Sequence, residues 1–343
     1  MLLGLGISFG MSRTSKSPRK VLLAAWDVGR RSLAAYSHRF SPKKFTQPQL
    51  FACLVLKEFF QTDYRGIANI LADCPDLRQA IDLQHVPHFT TLQKSAKRLL
   101  SIPQVRSLLT TTVNVAIEQR RIPCKIALAA ADSTGLESRR CSQYFARRSR
   151  VKVGRIDNRS RWQRRFPKLA LLCDTRTHFI LAAHYEQGPR SDVTNLEPLV
   201  HEALWRVRLG TVLADAGYDA EWLHRFCRLD CGVKTLIPTR QSPSPPRAPF
   251  RHWMWGHLHH CKNYRQRWQV ETTMSMIKRR TGSALEGRSH YARRRLALLK
   301  ALAHNIMILY ASGKIARFLH SNGYSHAVCR RFRRTGCETT GSQ

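Results

Sequence analysis

Two short apolar runs, each stopped by an aspartate, limit what this chain can fold into more than any other feature. Ile126 to Ala131 runs straight into Asp132, and Thr211 to Ala214 runs straight into Asp215. Leu169 to Cys173 and Phe179 to Ala183 are two further runs, joined by the polar link Asp174 to His178, a spacing that suits a hairpin. Lys234 to Ile237 is a fifth, closed by Pro238. Such runs are too short for ordinary buried helices and suit strands covered on both faces. Helical periodicity fits Val193 to Val207, and Ala220 to Leu229 with Asp219 as its N-cap. Strands that alternate with helices predict an α/β domain, a mixed sheet flanked by helices with the hairpin strands antiparallel.

A different pattern precedes this domain. Leu50, Cys53, Leu54, Leu56 and Phe59 mark one helix, and Ile67, Ile70 and Leu71 a second that ends near Cys74 and Pro75. Thr90 or Thr91 can cap a third through Leu92 and Leu99, and a fourth follows Pro103 through Val113 and Ile117. Residues 47–120 therefore read as a small all-α module, and 121–312 as the main domain. That domain carries a basic insertion at 137–168 and a stiff proline-rich segment at 238–250. Residues 1–46 are basic and weakly periodic, which predicts a partly disordered arm. Their apolar start, Met1 to Gly10, has no basic leader region and reads as a frayed leader or an early start codon ahead of Met11, not as a signal peptide. Residues 313–343 form a basic tail.

Charge narrows the partner. The chain has 58 Lys and Arg against 22 Asp and Glu, a formal charge of +36. Self-repulsion on that scale opposes compaction, so a polyanion is the expected partner, and nucleic acid the expected polyanion. No apolar run reaches membrane-spanning length, which argues against a membrane role. The ten cysteines contain no Cys-x-x-Cys pair and fit neither a zinc ribbon nor a disulfide framework, so a reducing cytosol is expected. His257, His259, His260 and Cys261 match no standard zinc spacing and read as a basic loop facing DNA. Within 139–168, twelve Lys or Arg, among them Arg147, Arg148, Arg150, Arg164 and Arg165, stand against the single acid Asp157. Tyr144, Phe145, Trp162 and Phe166 are interleaved with them, so cations can track phosphates while rings stack on exposed bases.

The chemistry is expected where Asp132 and Asp215 leave their strands. A carboxylate at the end of a buried strand faces the rim where ligands bind. If the first and fourth runs are neighbouring strands, the two aspartates stand side by side and repel unless a divalent ion lies between them. Tyr264, Arg267, Glu271 and Lys278, read as one helix, share a face at about 100° per residue, and Val270, Met274 and Ile277 form its apolar side. Packed across the sheet edge, that helix would bring Glu271 in as a third carboxylate. Three carboxylates without histidine or thiolate suit Mg²⁺, and two such ions perform in-line phosphoryl transfer. Asp192 reads as a turn residue, with a fourth acid near the site as its other reading, and Glu137 as a loop residue paired with Arg139 or Arg140.

Asp132 to Leu136, Leu213 to Tyr218, and the spacing Tyr264-x2-Arg267-x3-Glu271-x6-Lys278 together resemble the DDE transposases of bacterial insertion sequences. More narrowly, they resemble insertion-sequence families four and five, which share this Tyr-Arg-Glu-Lys signature. The resemblance covers about residues 46–310. It implies an RNase H-like core, catalytic roles for Asp132, Asp215 and Glu271, and a dependence on Mg²⁺ that Mn²⁺ can satisfy. It further implies that Arg267 and Lys278 contact the DNA backbone with help from Tyr264. The helical module at 47–120 has two readings, recognition of the DNA end and a plain packing domain. The expected activity is cleavage at element ends and joining to target DNA by a homodimer on DNA, in the cytoplasm and nucleoid of a bacterium. The spacing from Asp215 to Glu271 leaves no room for the sizeable β-domain of the larger family-four members, which favours the compact family-five form. The alternatives are a structure-selective nuclease on the same core, and a silent derivative that only binds DNA. Charge reversal at Arg147, Arg148 and Arg150 is expected to weaken DNA binding at every sequence tested and to flatten its salt dependence; unchanged affinity at moderate salt would contradict the role given to the insertion.

Overall fold

The first aspartate-terminated run is the central strand. β1 (Lys125–Gly135) carries Ala129, Ala130 and Ala131, all fully buried, so its backbone groups need partners on both edges. It pairs antiparallel with β3 (Pro167–Asp174) on one side and parallel with β5 (Arg208–Leu213) on the other. β3 turns back into β4 (Ile180–Gln187) as an antiparallel hairpin, and β5 pairs in parallel with β6 (Lys234–Leu236). The sheet order is β4-β3-β1-β5-β6. Three antiparallel strands joined to two parallel ones form the mixed sheet that the apolar runs predict, in the RNase H-like arrangement that the resemblance implies. A two-stranded parallel ribbon, β2 (Glu137–Ser138) with β7 (Ala284–Leu285), stands apart from it. The computed structural model describes residues 14–138, 166–188, 190–241 and 243–310. The start at Met1 to Gly10, the tail at 313–343, and Arg147, Arg148, Arg150, Arg164 and Arg165 of the insertion lie outside the described residues.

Six helices precede the sheet: α1 (Pro18–Ser32), α2 (Gln47–Phe59), α3 (Tyr64–Asp73), α4 (Pro75–Ala80), α5 (Phe89–Leu99) and α6 (Ile102–Glu118). α7 (Val193–Leu204), α8 (Glu221–Arg225), α9 (Pro249–His257), α10 (Gln269–Thr281) and α11 (His290–Leu309) follow. Ala297 to Leu309 is buried almost throughout, because α11 packs on α1, α2 and α6 on one side and on β3 and β4 on the other. A helix apolar on every side belongs in the middle of a core, and this one joins the N-terminal helices to the sheet.

Three local expectations are corrected. Residues 18–32 are not a loose arm: Ser17 caps α1, and Val21, Leu22, Ala24, Ala25 and Val28 are fully buried against α2 and its neighbours. Arginines and lysines between those positions mask the period at the level of composition. α5 is not capped by Thr90 or Thr91: His88 holds the N-cap position, and its Nδ1 lies 2.8 Å from the Thr90 hydroxyl. Asp219 is not a helix cap. It pairs with the Arg251 guanidinium at 2.7 Å and accepts the Arg240 N–H at 2.9 Å, and those charge-assisted bonds outcompete the weaker cap. The helix it was to cap is short, running as α8 into a π-turn at Phe226–Asp230.

Asn305 shows how tightly α11 grips the sheet. Fully buried, it accepts the Ile180 N–H and donates to the Ile180 carbonyl, both at 2.9 Å. Asn305→Ala leaves both backbone groups of Ile180 buried and unpaired, and is expected to cost about 2–4 kcal/mol in urea unfolding; a loss under about 0.5 kcal/mol would show that the pair is not sealed from water.

Candidate active site

The register between β1 and β5 sets the two aspartates. Ala130 stands opposite Leu213, and Asp132 and Asp215 each follow two residues further along. Both carboxylates are held by local backbone: Asp132 accepts the Ser133 N–H at 2.7 Å, and Asp215 accepts the Gly217 N–H at 2.9 Å. A Cβ at Gly217 would lie 2.9 Å from the same Asp215 oxygen, so the Ala-Gly-Tyr sequence after Asp215 keeps that carboxylate close against the turn. Burial pushes the Asp132 carboxyl up, the Ser133 N–H pulls it back, and Asp215 and Asp192 push it up again, to about 6.

Asp192 is part of this cluster and not only a turn residue. It accepts the Ser133 hydroxyl at 2.6 Å and pairs with Lys168, which is buried and also donates to the Arg190 carbonyl at 3.1 Å. Lys168 had been counted among the cations that track DNA; at the start of β3 it is instead an internal counter-ion. The Tyr218 side chain is fully buried, with its hydroxyl beside the Ser133 side chain. Burial, followed by Asp192, Asp132 and Asp215, drives the Tyr218 phenol far up. Asp192 thus takes the second of its two readings, a fourth acid near the site, while the parts of Lys168 and Tyr218 depend on contacts between distant segments that no local pattern marks.

α10 crosses this edge. Val270, Met274 and Ile277 are buried as its expected apolar side, each contributing roughly 1.5–3 kcal/mol, and the Thr273 hydroxyl reaches the Cys173 sulfur of β3 at 3.4 Å. The signature does not lie on one helix, however. Lys262–Trp268 is a 3-10 segment carrying Tyr264 and Arg267, and α10 begins only at Gln269. The break still leaves Arg267 one turn before Glu271, and the two pair at 2.6 Å. Asp132, Thr134, Glu271 and Lys278 line one open cleft between β1 and α10. Asp215 is not among its lining residues, but it is close enough to Asp132 and Tyr264 to raise both.

The donor set fits a hard divalent cation. It offers carboxylate oxygens only, in a partly buried anionic group where Asp132 holds its proton well above the ordinary carboxylate range. Among the described residues no three His, Cys, Asp or Glu side chains close into a finished ligand cage, and Glu271 faces Arg267. Such an open set suits Mg²⁺, which keeps waters and shares substrate phosphate oxygens. The His257 to Cys261 group likewise forms no metal cluster, and the His257 ring stacks on Trp253 with centroids 4.9 Å apart.

A carboxyl raised from 3.8 to about 6 binds more protons folded than unfolded, so it lowers stability as pH rises through that window. Asp132→Asn keeps an acceptor for Ser133 and removes the charge. Without divalent ions it is expected to raise the melting point at pH 7.5 by the equivalent of about 2–3 kcal/mol and to leave it unchanged near pH 3.5. Added Mg²⁺ should raise the melting point of the parent and not that of the variant. Equal metal-free melting points at pH 7.5 would remove the raised carboxyl from the account.

The family model for the transposase DDE domain matches residues 125–306, from the start of β1 into α11. No curated protein matches the chain. Among solved structures, the chain is similar to a pre-cleavage Mos1 transpososome at 10% identity over 80% of this chain and 81% of that one, with a TM-score of 0.21. The matched segment spans more than half of the sequence and carries the whole sheet, Asp132, Asp215 and α10: the chain belongs to the DDE transposase family.

Proposed function

We propose that Asp132, Asp215 and Glu271 are the catalytic carboxylates of this transposase, that they hold Mg²⁺, and that Arg267, Lys278 and Tyr264 hold the DNA backbone beside them. The observation that carries the reading is the parallel register that sets Asp132, inside β1, beside Asp215, two residues past the end of β5, with Glu271 and Lys278 across one cleft from Asp132. When bound, two Mg²⁺ ions supply Lewis-acid stabilisation of the charge that develops on the attacking and leaving oxygens of an in-line phosphoryl transfer. Everything else is the work of the chain. Ser133 and Gly217 orient the two aspartates through backbone N–H groups. Asp132 gives up its proton as the site takes on positive charge.

Arg267 is the movable part. Its guanidinium now neutralises Glu271, which is about half exposed, with a side-chain accessibility of 55%. A phosphate diester entering the cleft competes for the same planar donor, which binds phosphate in a bidentate fork. Transfer of Arg267 from carboxylate to phosphate frees Glu271 to serve as a ligand at the moment DNA is in place. Lys278 adds a second cationic contact along the cleft. Arg147, Arg148, Arg150, Arg164 and Arg165 extend the same DNA surface on the strength of their charge pattern. The reaction so assembled cuts the element end and passes its 3′-hydroxyl to target DNA in the nucleoid, with a homodimer holding paired ends.

Asp132→Ala is expected to abolish Mg²⁺-dependent cleavage of DNA that brackets this reading frame while leaving DNA binding within about threefold. Cleavage by the variant at the parental rate would refute the assignment. Joining of a pre-cut 3′ end by the parent separates transposition from simple nuclease action.

A further inference from the structure

The helix that carries Glu271 and Lys278 ends against residues more than two hundred positions earlier in the chain. A helix leaves its last four carbonyls without internal partners. In α10 three of those four are taken from outside it: Gln61 Nε2 donates to the carbonyls of Arg279 at 3.4 Å and Arg280 at 3.2 Å, and Lys300 Nζ donates to that of Thr281. Gln61 follows α2 directly, and Lys300 lies in the buried half of α11. Both meet Glu58, Gln61 through its backbone N–H to the Glu58 carbonyl at 3.1 Å and Lys300 through the carboxylate. Glu58, buried at the end of α2, pairs with Lys300 at 3.2 Å and with Lys57 at 2.8 Å, and all three side chains are almost wholly hidden from solvent. Burial pushes the Glu58 carboxyl up, but Lys57 and Lys300 together outweigh it and hold it below its ordinary range.

This is an expensive way to hold two helices together. Burying charges costs several kcal/mol per ion before any return, and apolar side chains of the same volume usually do as well for stability. Gln61 also sits at φ 51°, the left-handed region that a side chain disfavours, and it meets Gly282 at φ 81°, where an added Cβ would lie 3.3 Å from the Gln61 amide oxygen. Directional ionic and amide contacts do what apolar packing does not: they fix the rotation and height of a helix end. Lys278 lies in the turn so held, and Glu271 two turns before it. At the other end, His178 Nε2 holds the Gln269 side chain at 2.7 Å.

We propose that Gln61, Glu58 and Lys300 are positioning residues of the transposition reaction: from the N-terminal helices and α11 they clamp the C-terminal turn of α10, and so set where Lys278 and Glu271 stand against the DNA. The inference rests on the catalytic reading of Glu271 given above. It makes the N-terminal helical region part of the catalytic apparatus, not only a neighbour of it.

The test uses the full chain and a duplex carrying the DNA that brackets this reading frame. Gln61→Gly removes both carbonyl donors and relieves the left-handed backbone. The variant is expected to melt at or above the parent, to bind the duplex with unchanged Kd, and to cleave the bound duplex in Mg²⁺ at least about tenfold more slowly in a single turnover. Gln61→Lys, which returns a donor of similar reach, is expected to recover most of the rate. Parental cleavage by Gln61→Gly overturns the proposal, as does a loss confined to DNA affinity. Glu271→Gln is measured alongside: if it is inactive while Gln61→Gly cleaves at full rate, only the positioning role falls. If Glu271→Gln cleaves normally, the catalytic reading falls with it.

Discussion

The parallel pairing of β1 with β5 is the constraint on which the site depends. Two parallel strands in register bring equivalent positions side by side, one inside β1, which runs on to Gly135, and one just past the end of β5 at Leu213. Those positions are Asp132 and Asp215. Neighbouring carboxylates partly withdrawn from water are unfavourable, and the surroundings read as responses to that fact. Backbone N–H groups from Ser133 and Gly217 stabilise one oxygen of each, and buried Lys168 offsets the third acid, Asp192. What remains uncompensated is Asp132, whose carboxyl stays raised. Strand geometry thus gathers the acids and leaves Asp132 holding its proton more tightly than an ordinary carboxyl.

Charge works at two ranges in this protein. Over the whole chain, an excess of +36 attracts DNA without regard to its sequence. At the site the excess disappears, with Asp132, Asp192, Asp215 and Glu271 set among Lys168, Arg267, Lys278 and Arg279. Arg267 belongs to both ranges, since it is Glu271's partner now and a phosphate ligand in the proposed complex. That dual use links DNA entry to completion of the carboxylate set.

The sheet was legible because its strands are continuous apolar runs closed by Asp or Pro, a pattern that survives without knowledge of neighbours. The buried stripe of α10 was legible for a similar reason: Val270, Met274 and Ile277 keep a helical period. α1 was not, because its apolar positions are diluted by Arg19, Lys20, Arg30 and Arg31 in a region whose charge invites a disordered reading. The 3-10 start of the signature segment was hidden because 3-10 and α spacing both keep Arg267 within reach of Glu271. Asp219 looked like a cap until Arg251, far along the chain, proved the stronger partner.

By itself, the sequence determined that two apolar runs stopped by aspartates are strands, that a Tyr-Arg-Glu-Lys segment follows at family spacing, and that the partner is polyanionic; it did not show that β1 runs on past Asp132 to Gly135. Each of these depends on residues close together in the chain or on composition. Only the tertiary structure decided that β1 and β5 are in register, that Asp192 and Lys168 complete the acidic cluster, and that Gln61 and Glu58 reach the end of α10. Those are contacts between residues tens to hundreds of positions apart. Their energies arise when burial strips water from charged and polar groups and leaves them only each other, and no local pattern records which partner that will be.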